Sequence, residues 1–246
     1  MDAKEYQKIY QNIKEKAPIE SGVQTLVYMF LYEIIKNIDY QLIVIDRMGK
    51  KTPFVTTVGI SDLAIVSDSF SFSEENKDCI LSYVEVKGIN VNLFDFEDQI
   101  KGQLLSRGKI ICTNGNVWKY YDIEKYIEQH SENELDFLWG QNDYEKIQKI
   151  IASLEYLEKE IAIKKSSYAH ARTKAYKEEC KSKITELNHE ILEKSEQLNN
   201  LLVEISWLQD IMNNPIIDRK LCDNDDFDVM EYMKLKSELY EYISEW

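Results

Sequence analysis

The chain has 246 residues and a formal net charge of −14, which argues against an extended basic surface for nucleic acid. A hydrophobic fraction of 44% with 11% aromatics supplies a real core, so a disordered tail is excluded. No apolar run reaches the roughly 18 residues of a membrane span, and the charged start MDAKEYQKIYQ is not built as a signal peptide, so an intracellular, cytoplasmic protein is expected.

Residues 3 to 16 predict a short amphipathic helix, with Pro18 at the break before the next. In IESGVQTLVYMFLYEIIKNI the apolar residues Val23, Leu26, Val27, Phe30, Leu31, Ile34 and Ile38 follow helical spacing, with Gly22 weakening the first turn and Glu20 at its mouth. Three strands follow near 40–46, 61–67 and 80–88, joined by RMGKKTP and SDSFSFSEENKD, whose Gly, Pro, Ser and Asp suit turns. They read as an antiparallel meander. FEDQIKGQLLSRG then predicts a helix closed by Gly108, and KIICTNGNVWKYY a hairpin around Asn114 and Gly115. Together these elements imply an α/β domain with helices on a mixed sheet over residues 1–143.

The character changes near residue 144. From there to 212 there is no proline or glycine, and two heptad seams appear. The first is Ile147, Ile150, Leu154, Leu157 and Ile161; the second is Ile184, Leu187, Ile191, Leu198, Leu201, Ile205, Leu208 and Met212, interrupted by Lys194. The polar stretch KKSSYAHARTKAYKEECKSK between them suits an exposed tip. Residues 144–246 are therefore expected to form a helical hairpin or coiled coil that Pro215 ends, with a last helix near 229–244 after the acidic loop DNDDFD. The seams suit an intramolecular hairpin or a homodimer equally. DNDDFD lacks the central glycine of a calcium loop and reads as an exposed acidic loop.

Cys79, Cys112, Cys180 and Cys222 are far apart, which favours reduced thiols over a disulfide frame or zinc site. His130, His170 and His189 are equally scattered. The unusual feature is LSYVEVKG at 81–88, where alternation puts Glu85 and Lys87 on one strand face and Val84 and Val86 on the other. Asp62 opens the preceding strand, so a meander brings Asp62, Glu85 and Lys87 together. Mg²⁺ takes oxygen ligands and uses one or two carboxylates plus substrate phosphates, a demand that Asp62, Glu85 and the Val86 carbonyl meet. Two close carboxylates also repel unless they share a cation or a proton. Trp118, Tyr120 and Tyr121 suit sheet packing better than base stacking.

GISDLAI, YVEVKG and the pair Gln99 and Gln103 resemble the PD-(D/E)XK nuclease superfamily, with its D…E-x-K set on a bent hairpin. CTNGNVWKYY resembles the strand that follows this core in the N-terminal nuclease domain of type I restriction motor subunits and related restriction proteins. The resemblance covers roughly residues 18 to 125 and implies a restriction endonuclease-like fold. It makes Asp62 and Glu85 ligands of Mg²⁺, with Mn²⁺ as a substitute, Lys87 the catalytic lysine and Glu20 an auxiliary acid. Gln99 and Gln103, at i and i+4, become a polar pair near the scissile phosphate. The implied activity is DNA endonuclease, in a restriction, phage-defence or mobile-element setting. The alternative is a silent nuclease fold acting as a binding or assembly module through its coiled coil. Ser61 stands where the family usually has proline, and no Walker-type motif accompanies the domain, so ATP-driven translocation does not carry over.

Overall fold

Local chemistry sets the first two elements of the computed structural model, which describes residues 1–45, 54, 56, 58–72, 79–130, 134–204, 207–223 and 226–246. Asp2 caps helix α1 (Ala3–Lys16), its side chain accepting the Glu5 N–H at 2.8 Å. The helix stops at Ala17 because the residue before Pro18 is pushed out of helical geometry. Helix α2 (Glu20–Ile35) buries Val23, Leu26, Val27, Phe30, Leu31, Ile34 and Ile35. Each of these large side chains contributes about 1.5–3 kcal/mol on burial. The helix ends before Ile38, which packs on the core from a turn instead.

Six strands form one mixed sheet in the order β1-β2-β3-β4-β5-β6: β1 (Tyr40–Val44), β2 (Leu63–Ser67), β3 (Ile80–Val86), β4 (Lys109–Thr113), β5 (Val117–Asp122) and β6 (Ile217–Lys220). The first three are the expected antiparallel meander, with a register shift between Ile65 and Val66 of β2, where Leu81 of β3 is the extra residue. β4 then runs parallel to β3, the connection being a 3₁₀ turn (Leu93–Phe96) and helix α3 (Glu97–Arg107). Gly108 closes α3 with φ +79, a left-handed conformation that favours glycine, and donates its N–H to Leu104 O. β4 and β5 form the expected hairpin. The joining segments at 46–53 and 73–78 lie outside the described residues, as does Ile205 of the second seam.

The sheet separates two cores. On one face Leu63, Ile65, Val84, Val86, Ile111, Trp118 and Tyr120 meet α1, α2 and the final helix. On the other, Ala64, Val66, Tyr83, Ile110, Cys112 and Tyr121 meet α3 and helix α4 (Ile123–His130). Trp118, Tyr120 and Tyr121 are 1%, 1% and 2% exposed, so they pack the sheet and are not available to stack on bases.

Helix α5 (Glu134–His170) begins ahead of residue 144 and turns at 171–173 into α6 (Lys174–Glu204). The two pack against each other as a hairpin around Leu157, Ile161 and Leu187. At its base Ile147, Ile151 and Leu208 join the α3-side core. Ile151, rather than the expected Ile150, is the buried residue there.

Residues after the hairpin return to the sheet, across the expected boundary at 143/144. Helix α7 (Trp207–Asn213) contributes Ile211 and Met212 to the α3-side core, and β6 pairs antiparallel with β5. Asp223 and Asp226, in the acidic loop, pair as the short strands β7 (Cys222–Asp223) and β8 (Asp226–Phe227). Asp228 caps helix α8 (Val229–Ser244), accepting the Met230 and Glu231 N–H groups. Tyr232, Leu235, Leu239 and Ile243 of α8 fill the same core as α2. Among the described residues, the hairpin beyond its base, around Leu157, Ile161 and Leu187, has a cluster separate from the two sheet cores. No helix among the described residues is long and apolar enough to cross a membrane.

Candidate active site

Pleat and register decide which side chains meet. Val84 and Val86 point into the α2-side core, so Glu85 and Lys87 must project toward α3. Asp62 sits one residue before β2 and Lys87 one residue after β3, so both flank strand ends rather than lying inside strands. The Ile45 N–H donates to Asp62 O at 2.9 Å, which holds this end of β2 in line with β1. The Val86 N–H then donates to Asp62 Oδ2 at 2.7 Å, tying the two strand ends together.

Glu85 is 3% exposed and is held by three donors. Lys87 Nζ donates to Oε1 at 2.6 Å, Gln99 Nε2 to Oε1 at 2.8 Å, and Gln103 Nε2 to Oε2 at 2.7 Å. Lys87 also donates to Gln99 Oε1 at 3.1 Å and lies 4.3 Å from the centre of the Phe96 ring. A buried ion pair of this kind persists only when further hydrogen bonds satisfy the remaining lone pairs, and the two amides of α3 supply them. Gly102 of α3 lies against the Val58 side chain of the segment ahead of β2, so closely that a Cβ there would overlap it. Gln103 is buried and Gln99 half-buried, so the pair is a clamp on Glu85 rather than a solvated helix face.

Asp62 is the strained member. Burial pushes its carboxyl up to about 7, the charges of Glu85 and Glu20 add to the rise, and the Val86 N–H and Lys87 oppose it. Glu20 itself is the first residue of α2 and exposed, near enough for its charge to reach Asp62. Near neutral pH the Asp62 site therefore favours either a proton or a cation. Among the described residues, no group of three or more His, Cys, Asp or Glu side chains is placed to form a metal cage. The oxygen donors expected to hold a cation here are Asp62, Glu85 and the Val86 carbonyl. That chemistry fits Mg²⁺, which keeps several waters and needs few protein ligands.

Two buried polar atoms beside the site, Ser61 Oγ and Gln103 Oε1, have no partner among the described residues. Sequence reasoning identified Ser61 only as a departure from proline and did not identify Phe96, whose role depends on the 3₁₀ turn folding it over Lys87. Comparisons with protein-family models, curated proteins and solved structures find no match for this chain.

Proposed function

We propose that this chain is a metal-dependent nuclease that hydrolyses phosphodiester bonds of DNA. The observation that carries this reading is the gathering of Asp62, Glu85 and Lys87 at two adjacent strand ends, with Glu85 clamped by Gln99 and Gln103. Asp62, Glu85 and the Val86 carbonyl would hold Mg²⁺ or Mn²⁺, which when bound supplies Lewis acidity toward water and neutralises charge on the phosphate. Glu85 keeps a fixed orientation because its three donors come from two elements. The Lys87 ammonium is the cationic hydrogen-bond donor of the site: it can orient a water or a phosphate oxygen and balance negative charge building on phosphorus. Asp62 would have to give up its proton to hold a cation, so activity should rise with pH through about 7.

The test is cleavage of supercoiled plasmid and of linear single- and double-stranded DNA in Mg²⁺ or Mn²⁺. Wild type should cut, and Asp62→Ala, Glu85→Ala and Lys87→Ala should each lose at least about 100-fold, the scale of removing one preorganised charge-stabilising group. Near-wild-type cutting by any of the three sinks the assignment.

A second reading is a silent nuclease-like fold that binds or assembles through the α5–α6 hairpin. The net charge of −14 and the filled hydrogen bonding of Glu85 favour it. Melting curves separate the two: a rise with Mg²⁺ that Asp62→Ala abolishes belongs to the first reading alone.

A further inference from the structure

The register carries the row of Glu85 across the sheet. Glu85 pairs with Cys112, Cys112 with Lys119, and Lys119 with Asp218, so all four share the face that Lys87 occupies. Lys119 lies two strands from Glu85, roughly 10 Å at ordinary strand spacing. Its side chain is 8% exposed, yet its ammonium stands 4.3 Å from the centre of the Phe94 ring and 3.6 Å from the Asp218 carboxylate, a side chain 54% exposed. Phe94 is 62% exposed. With Leu93, Glu97, Ile100 and Tyr121 these two line a small recess at the start of α3. The same 3₁₀ turn thus sets Phe96 over Lys87 and Phe94 over Lys119.

Packing does not account for this pair. A phenylalanine left mostly in water gains little from burial, and a loose contact to an exposed carboxylate contributes little to hold a sunken lysine, while Glu97, whose charge also feels Lys119, is paired at 2.6 Å with Lys101. An aromatic face beside a cation is what single strands of nucleic acid use, the base stacking on the ring and the phosphate pairing with the cation. We propose that Phe94 and Lys119 form a nucleotide subsite flanking the scissile phosphate, Phe94 stacking a base and Lys119 binding that nucleotide's phosphate in place of Asp218. Asp218 then acts as a stand-in anion that substrate displaces. The proposal rests on the nuclease reading, which supplies the strand to be held.

The test is fluorescence anisotropy of a labelled single-stranded oligonucleotide, and of its duplex, with the full chain in Ca²⁺ and in EDTA, alongside plasmid cleavage in Mg²⁺. Phe94→Leu, which keeps apolar bulk without a π face, should weaken binding about 5- to 100-fold, and Phe94→Tyr should restore it. Lys119→Gln should weaken binding and reduce the salt dependence by about one phosphate contact. Asp218→Asn should tighten binding, an effect that a purely structural Lys119–Asp218 strut does not produce. If wild type cuts and Lys87→Ala does not, while Phe94→Leu and Lys119→Gln bind as wild type, the subsite is refuted and the nuclease reading stands. If wild type neither binds nor cuts, both fall together. Phe94 is exposed enough that its variants should fold even if Lys119→Gln does not.

Discussion

Replacing Asp62 with asparagine should make the metal-free protein more stable while removing its response to Mg²⁺. The native state holds this carboxyl at about 7 against an ordinary 3.8, so between those values it binds a proton that the unfolded chain has released. Stability from this group is therefore fully present below about pH 4 and lost as pH rises through about 7. At about 1.4 kcal/mol per pH unit the loss is at most about 4 kcal/mol. Solvent reaching a partly exposed carboxylate reduces this to about 1–3 kcal/mol. Asparagine keeps an oxygen to accept the Val86 N–H and carries no charge to desolvate. In a chain of this size the gain corresponds to roughly 2–10 °C in Tm. The assay is thermal or urea unfolding in EDTA from pH 5 to 8.5, with the variant's advantage growing as pH rises. Added Mg²⁺ at pH 8 should stabilise wild type by about 2.7 kcal/mol at one hundred times its Kd and leave the variant unchanged. A variant equal to or weaker than wild type at pH 8 in EDTA would refute the argument that Asp62 is held against its own charge.

Lys87→Ala leaves Glu85 buried without its cation and should destabilise by about 3–5 kcal/mol, so its activity must be read beside a urea melt. The double variant Glu85→Gln/Lys87→Met should recover most of that stability and none of the cleavage. Gln103→Leu removes the donor to Glu85 Oε2 and should cost about 1–3 kcal/mol in the same melt, with a fall in kcat if the clamp orients Glu85. Shortening the hairpin by replacing residues 158–190 with a short loop should leave near-UV circular dichroism of the sheet domain intact, whereas ending the chain after Asn213 should unfold it, because β6 and α8 complete the sheet and one core.

Much of this was legible from the residues. Helical spacing in α1 and α2, the glycine closing α3 and the Asn114–Gly115 hairpin are local signals whose cause is local, and each element appears where its pattern puts it except the end of α2, which stops short of Ile38. The facing of Glu85 and Lys87 away from Val84 and Val86 followed from the period of a strand alone. β6 was not legible. IDRK is four residues long with one buried side chain, and it is a strand because β5 offers it an edge after a long excursion through the hairpin. Nor does spacing say that Gln99 and Gln103 bind the same carboxylate, or that Phe94 and Phe96 fold over Lys119 and Lys87. By itself the sequence determined the elements, the two faces of β3 and the set of charged residues available to a site. Tertiary structure decided which of those charges are buried, which donors hold them and where the chain's last segment lands, because desolvation and long-range pairing depend on neighbours from other elements, up to 24 residues away at Asp62 and Glu85 and about a hundred away at β6.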